Sequence, residues 1–164
     1  MNLETLSAIA QLVAAIGVIA SLFYLAVQIR QNTRSMRAVV VDALTRGIAE
    51  ILSVQTPDVL RSLMRVVENF DDASEEDRLR ALPQVFGLFK LFENAWFQQR
   101  QGTLDREQWL GWDAYIRTYY HRPGVKSWWS KRRGAFAPGF RNYLESTKPI
   151  PDMPKLSELI QGKT

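Results

Sequence analysis

The sequence predicts an all-α protein: an N-terminal transmembrane helix followed by an aromatic-rich cytoplasmic helical bundle. Three observations lead to it. A run of twenty uncharged, mostly apolar residues lies near the start of the chain. After it, apolar residues recur at helical spacing, and capping residues, glycines and prolines separate the runs. Nowhere does the chain carry a strand-pairing signal, an internal repeat or a low-complexity tract.

The apolar run, Ala8 to Val27, reads AIAQLVAAIGVIASLFYLAV, with only Gln11 and Ser21 clearly polar. At helical rise it spans about 30 Å, the thickness of a bilayer's hydrocarbon core. Ten of its residues are Leu, Ile, Val or Phe. Together they favour insertion by about 3 to 6 kcal/mol, of which Gln11 offsets a part. A buried helix of a soluble protein would usually show an interrupting charge over this length. A cleaved signal peptide would want a basic start and a small-residue cleavage site. Here the start is MNLET, with Glu4 and no cation, and the run leads into QIRQNTRSMR. The helix is therefore expected to stay attached. Arg30, Arg34 and Arg37 follow it directly, so the positive-inside rule places the N-terminus outside and the rest in the cytoplasm.

This helix carries a pattern. Ser7, Ala14, Ser21 and Gln28 are spaced by seven, and Ala10, Gly17 and Tyr24 interleave with them. Helical periodicity gathers them into one stripe, with Leu12, Ile16, Ile19 and Phe23 on the opposite side. Small residues let helices approach closely in lipid, and hydroxyl or amide groups can bond across the contact. The stripe is a candidate interface for a second copy of the chain or for another membrane protein. An anchor bathed in lipid on all sides is the alternative.

The helical pattern continues past the anchor without a proline to about Val54, with Val41, Leu44, Ile48 and Ile51 or Leu52 as its buried stripe. Thr56 and Pro57 then read as the N-cap and first residue of a second helix. It runs to about Glu68 and buries Val59, Leu60, Leu63, Met64 and Val67. Ser74 and Asp77 approximate a capping box for a third helix reaching about Gln101 and stopped by Gly102. Pro83 inside it predicts a kink or a short first segment. VFGLFKLFENAWF is apolar on nearly every face, as suits the centre of a bundle. Thr103 restarts a helix with an aromatic stripe of Trp109, Trp112, Ile116 and Tyr119 or Tyr120. Pro123 and Pro138 begin two short helices, the first closed by Gly134. The chain thus divides into an anchor over residues 1–30, a helical cytoplasmic domain over 31–148 and a proline-punctuated, flexible tail over 149–164.

A chain of 164 residues can bury a real core. It has no cysteine, which removes disulfides, thiolate metal sites and a cysteine nucleophile, and its one histidine, His121, precludes a multi-histidine metal site. The net charge of +4 conceals segregation. Eight acids face four arginines between Glu50 and Arg80, whereas six cations face only Glu145 between Lys126 and Lys148. Such asymmetry suggests surfaces of opposite sign.

The candidate sites are few. His121 with Asp113 and Glu93 invites an acid–base reading, but no nucleophile accompanies it, and a histidine suits a helix C-terminus. Glu93 and Lys90, in the apolar third helix, need partners, and Arg117 or Arg100 is expected to pair with Glu93. Lys126, Trp128, Trp129, Lys131, Arg132 and Arg133 form a candidate patch for a membrane surface, with anionic lipid as its partner, or for nucleic acid. The favoured reading of this segment is plainer: Trp128 or Trp129 packs inward and the cations are solvated, and an acidic protein is a further candidate partner. No catalytic residue, cofactor or metal is assigned.

SLFYLAVQIRQNTR (Ser21 to Arg34), FENAWFQQRQGTLD (Phe92 to Asp105), RPGVKSWW (Arg122 to Trp129) and FAPGFRNYL (Phe136 to Leu144) form a succession of motifs. In them the chain resembles a widespread family of small uncharacterised bacterial single-pass membrane proteins with a helical cytoplasmic domain. The resemblance implies the architecture and brings no catalytic residues. The leading expectation is a non-enzymatic interaction or accessory protein of the bacterial inner membrane, self-associating or docking on a larger complex. A membrane-tethered small-molecule binder or enzyme, with its pocket between the aromatic helices, is the alternative. Tethered nucleic-acid binding through the basic C-terminal helices is the third and least favoured.

Overall fold

The structure is a computed structural model that describes residues 2–151, leaving aside the side chains of Thr5 and Ala10. Ala10 of the small-residue stripe and most of the expected tail, from residue 152 on, therefore lie outside the described residues. The described residues form six α-helices and one 3₁₀ turn, with no strand among them. The helices are α1 (Leu3–Ser53), α2 (Pro57–Glu68), α3 (Glu75–Arg100), α4 (Arg106–Tyr120), α5 (Pro123–Arg132) and α6 (Pro138–Ser146). The 3₁₀ turn covers Arg133–Ala135. The chain is all-α, with a long apolar N-terminal helix followed by aromatic-rich helices.

By contacts the chain splits into two compact units, Met1–Val39 and Val40–Thr164, with the division falling inside α1. The first unit holds the apolar length of α1 and the arginine-bearing turns after it, and its described side chains are exposed on every side. The second begins where α1 first buries a side chain. Leu44 is 1% exposed and packs with Ala95 and Leu104, flanked by Val40, Val41 and Leu91. Of the two alternatives at the end of α1, Ile51 joins the core and Leu52 stays exposed.

Caps set the helix starts. Thr56 accepts from the N–H of Val59 ahead of Pro57, as the sequence predicts. Ser74 accepts from the N–H of Asp77 and donates its own proton to that carboxylate at 2.8 Å. α3 then continues through Pro83 without interruption, so no short first segment forms. Pro83 is exposed on the helix's outer side, where the missing donor leaves a carbonyl that water can reach. The start of α4 differs from expectation. Its N-cap is Asp105, which accepts from Gln108 N–H, whereas the Thr103 hydroxyl turns back to the Gln98 carbonyl at 2.9 Å. Gly102, at φ 72°, reverses the chain, and the N–H groups of Thr103 and Leu104 both return to Gln98. Thr103 thus closes α3 and cannot open α4.

The core of the second unit is aromatic. α3 lies at its centre and presents Ala81, Val85, Leu88, Phe89 and Phe92 to it. Around them sit Leu63, Val66 and Val67 of α2, Ile116 and Tyr120 of α4, Trp128 and Trp129 of α5, and Phe140 and Leu144 of α6. Ring centroids lie 5.1 Å apart for Phe89–Trp128 and 4.9 Å for Trp129–Phe136, distances at which rings attract beyond their burial. α5 meets α2 through Gly124, which is buried among the last backbone groups of that helix.

Candidate functional site

The apolar length of α1 is the first candidate. It is long and apolar enough to cross a membrane, and none of the apolar window is buried within the structure. Leu12, Ile16, Ile19 and Phe23 are each more than half exposed, and so is Tyr24 on the other side. A helix that is apolar all round and exposed all round requires an apolar medium or a protein to cover it. Within the stripe, polar groups bond to one another along the helix. Ser21 donates to the Gly17 carbonyl at 2.8 Å, Gln28 to the Tyr24 hydroxyl at 3.0 Å and Gln11 to the Ser7 hydroxyl at 3.4 Å. These local bonds lower the cost of placing a hydroxyl or amide in a dry medium. Ala14 and Gly17 leave the same side shallow, and a Cβ built on Gly17 meets no atom within 4 Å. Arg30, Arg34 and Arg37 follow, all exposed and without an ion pair among the described residues.

In the basic C-terminal segment the tryptophans pack inward, as the sequence favoured, and the cations are engaged locally and not simply solvated. Trp128 and Trp129 are each 3% exposed and belong to the core, so no tryptophan is available there for a headgroup layer or a nucleobase. The cause is spacing: Val125, Trp128 and Trp129 fall at three and four residues on one face of α5, which turns inward. The cations are engaged locally. Lys131 pairs with Asp71 at 2.5 Å and lies 4.7 Å from the Phe70 ring centroid, while Arg133 pairs with Glu145 at 3.2 Å. Lys126 sits 4.4 Å from the Tyr120 ring centroid, and Arg132 5.8 Å from that of Phe86. What remains is a charged surface without an aromatic platform.

His121 caps the C-terminus of α4, and its Nε2 meets the Thr147 hydroxyl at 3.0 Å. Burial first, then the nearby Lys126 and Arg117, hold its pKa below the usual histidine value. Glu93 does not join it, and it does not pair with Arg117 or Arg100. Its carboxylate takes Lys90 at 2.8 Å and the Ala137 N–H at 2.6 Å, while Lys90 also donates to the Ala135 carbonyl at 2.7 Å. Together they fasten the 3₁₀ turn to α3. Arg117 instead pairs with Asp113, one turn away at 3.1 Å, and donates to the Lys148 carbonyl at 2.9 Å. Arg100 stacks 5.2 Å over Trp96. Tyr143 donates to the other Asp113 oxygen at 2.6 Å, and burial with that carboxylate pushes the phenol far up. These groups hold the end of α6 and the following residues against α4.

One polar cluster exceeded the sequence reading. Asp77 is 8% exposed and accepts from Ser62 at 2.8 Å, from Ser74 at 2.8 Å and from Arg65 at 3.2 Å. Ser62 was hidden because a serine in a helix gives no sign of facing inward. No group of three or more His, Asp or Glu side chains converges on a metal position among the described residues.

Among known proteins, no family model, no curated protein and no solved structure matches the chain.

Proposed function

We propose that this chain is a single-pass protein of the bacterial inner membrane whose function is interaction. α1 spans the bilayer with its N-terminus outside, and the helical unit from Val40 onward works in the cytoplasm as a scaffold. On this reading the chain is a member of the bacterial family resembled by its Ser21–Arg34, Phe92–Asp105 and Arg122–Leu144 motifs. The observation that carries the proposal is the exposed apolar length of α1 with its shallow, internally bonded stripe. Ser7, Ala14, Gly17, Ser21, Tyr24 and Gln28 provide the contact, either to a second copy or to a subunit of a larger membrane complex. Arg30, Arg34 and Arg37 favour the cytoplasmic side, where anionic lipid attracts cations.

Gly17→Leu tests the contact cleanly, because a side chain there meets nothing within the chain itself. Crosslinking of the full-length protein in native membranes should give a dimer or a defined complex, and Gly17→Leu should reduce it with the helical content unchanged. A monomer that is indifferent to Gly17→Leu contradicts the proposal.

A further inference from the structure

A cleft of about 300 Å³ opens between the last turns of α1 and the helices α2, α3 and α4, all within the unit that begins at Val40. Its walls are Ile48 and Ile51 of α1, Leu60 and Leu63 of α2 and Leu88 of α3. A second hollow, of about 280 Å³, shares Ile48 and Tyr115 with it and continues past Gly111 and Trp112. The two adjoin, and their walls are mostly apolar, with Gln55, Gln84, Gln108, Tyr115 and Tyr119 contributing the polar groups.

Well-packed interiors leave few voids larger than a water molecule. The first hollow alone reaches the range of small-ligand sites, about 300 to 1,000 Å³. Its polar lining limits what the guest can be. No charged side chain lines either hollow, and burial holds the Tyr115 phenol in its neutral form. A carboxylate or phosphate head would lie there without a counter-charge. By contrast, the side-chain amides of Gln55 and Gln84, both half-buried, bond to no other group among the described residues. Each can donate and accept, which suits a hydroxyl or ester head.

We propose that this cleft binds one hydrocarbon chain bearing an uncharged, hydrogen-bonding head, such as a long-chain alcohol or a monoacylglycerol. The alkyl chain lies along Leu60, Leu63 and Leu88, and the head meets Gln55 and Gln84. The site lies wholly within the helical unit, so it stands whether or not α1 self-associates.

The probe is dodecan-1-ol carrying a mid-chain diazirine, photolysed with the full-length protein in phosphatidylcholine nanodiscs. Adducts should map to the peptides containing Leu60, Leu63 and Leu88. Unlabelled dodecan-1-ol should displace them, and dodecanoate should need about tenfold more, because its charge goes unpaired. Gln84→Trp, which puts a larger side chain in the cleft lining, should reduce this labelling about tenfold with an unchanged unfolding midpoint. Leu52→Trp enlarges an exposed residue of the same cleft lining, and it decides the matter if Gln84→Trp misfolds. Adducts confined to the Leu6–Val27 stretch, labelling indifferent to a folded filling variant, or equal competition by dodecanoate would overturn the proposal.

Discussion

Gly124 has no side chain because the backbone of α2 occupies the space one would need. A Cβ there would strike the Val66 carbonyl and lie 2.8 Å from both the Phe70 nitrogen and the Val67 carbonyl. None of these can rotate away, so Gly124→Ala should cost about 3 kcal/mol in urea unfolding. Gly87 provides the control, since its added Cβ is free, and Gly87→Ala in mid-helix should stabilise by about 0.5 to 1 kcal/mol. Asp77 offers a test by pH. Hydrogen bonds from Ser62 first, then Ser74, and the Arg65 charge hold its pKa below the ordinary 3.8 despite its burial. Because the folded value lies below the unfolded one, the stabilisation is complete above 3.8 and is lost as pH falls through the folded value. The urea midpoint of Asp77→Asn should therefore change less with acidification than that of the parent chain. If the two fall in parallel, the carboxylate contributes nothing in its charged form. The capping role of Asp77 was legible, but its bond to Ser62 and the contact at Gly124 were not, because a serine's direction and a glycine's neighbour depend on packing between distant segments.

At the scale of elements, the chain's own punctuation located the helices well. Thr56-Pro57, Ser74 with Asp77, Pro123 and Pro138 each begin the helix that the sequence assigns them, since a cap acts on backbone groups within three residues. The error at Thr103 arose where two good caps stand two residues apart. The Gly102 reversal decides between them by tying Thr103 back to Gln98. Asp105→Ala should accordingly cost about 1 kcal/mol, and Thr103→Ala should leave the start of α4 intact by hydrogen exchange. If Thr103→Ala frays α4 as much as Asp105→Ala does, the assignment of the cap fails. At α5 the inward packing that the sequence favoured extends to both tryptophans. The alternative of an outward platform of tryptophans and cations does not form, because helical spacing places Trp128 and Trp129 beside Val125 on the inner face. Lys90, three residues from Glu93, is its partner in place of the expected Arg117 or Arg100, and its second bond could not be read, because the Ala137 N–H comes from a turn 44 residues away.

For the whole molecule, the all-α class and the succession of helices were legible because both rest on local periodicity and caps. The candidate site was legible only along α1, where each polar bond joins residues four apart on one helix. The cleft beside Leu60 and Leu88 was not, since it is a space between helices and leaves no trace in any one of them. The central claim concerns where the two units reside. The chain has no cysteine, so single cysteines can be placed without background. Asn2→Cys and Ser130→Cys, each expressed in a bacterial host and treated as spheroplasts with a membrane-impermeant maleimide, give the most direct measurement. Label on Asn2→Cys in intact spheroplasts, and on Ser130→Cys only after the membrane is opened, is the predicted result. Label on Ser130→Cys in intact spheroplasts, or recovery of the protein from the soluble fraction, would contradict the account.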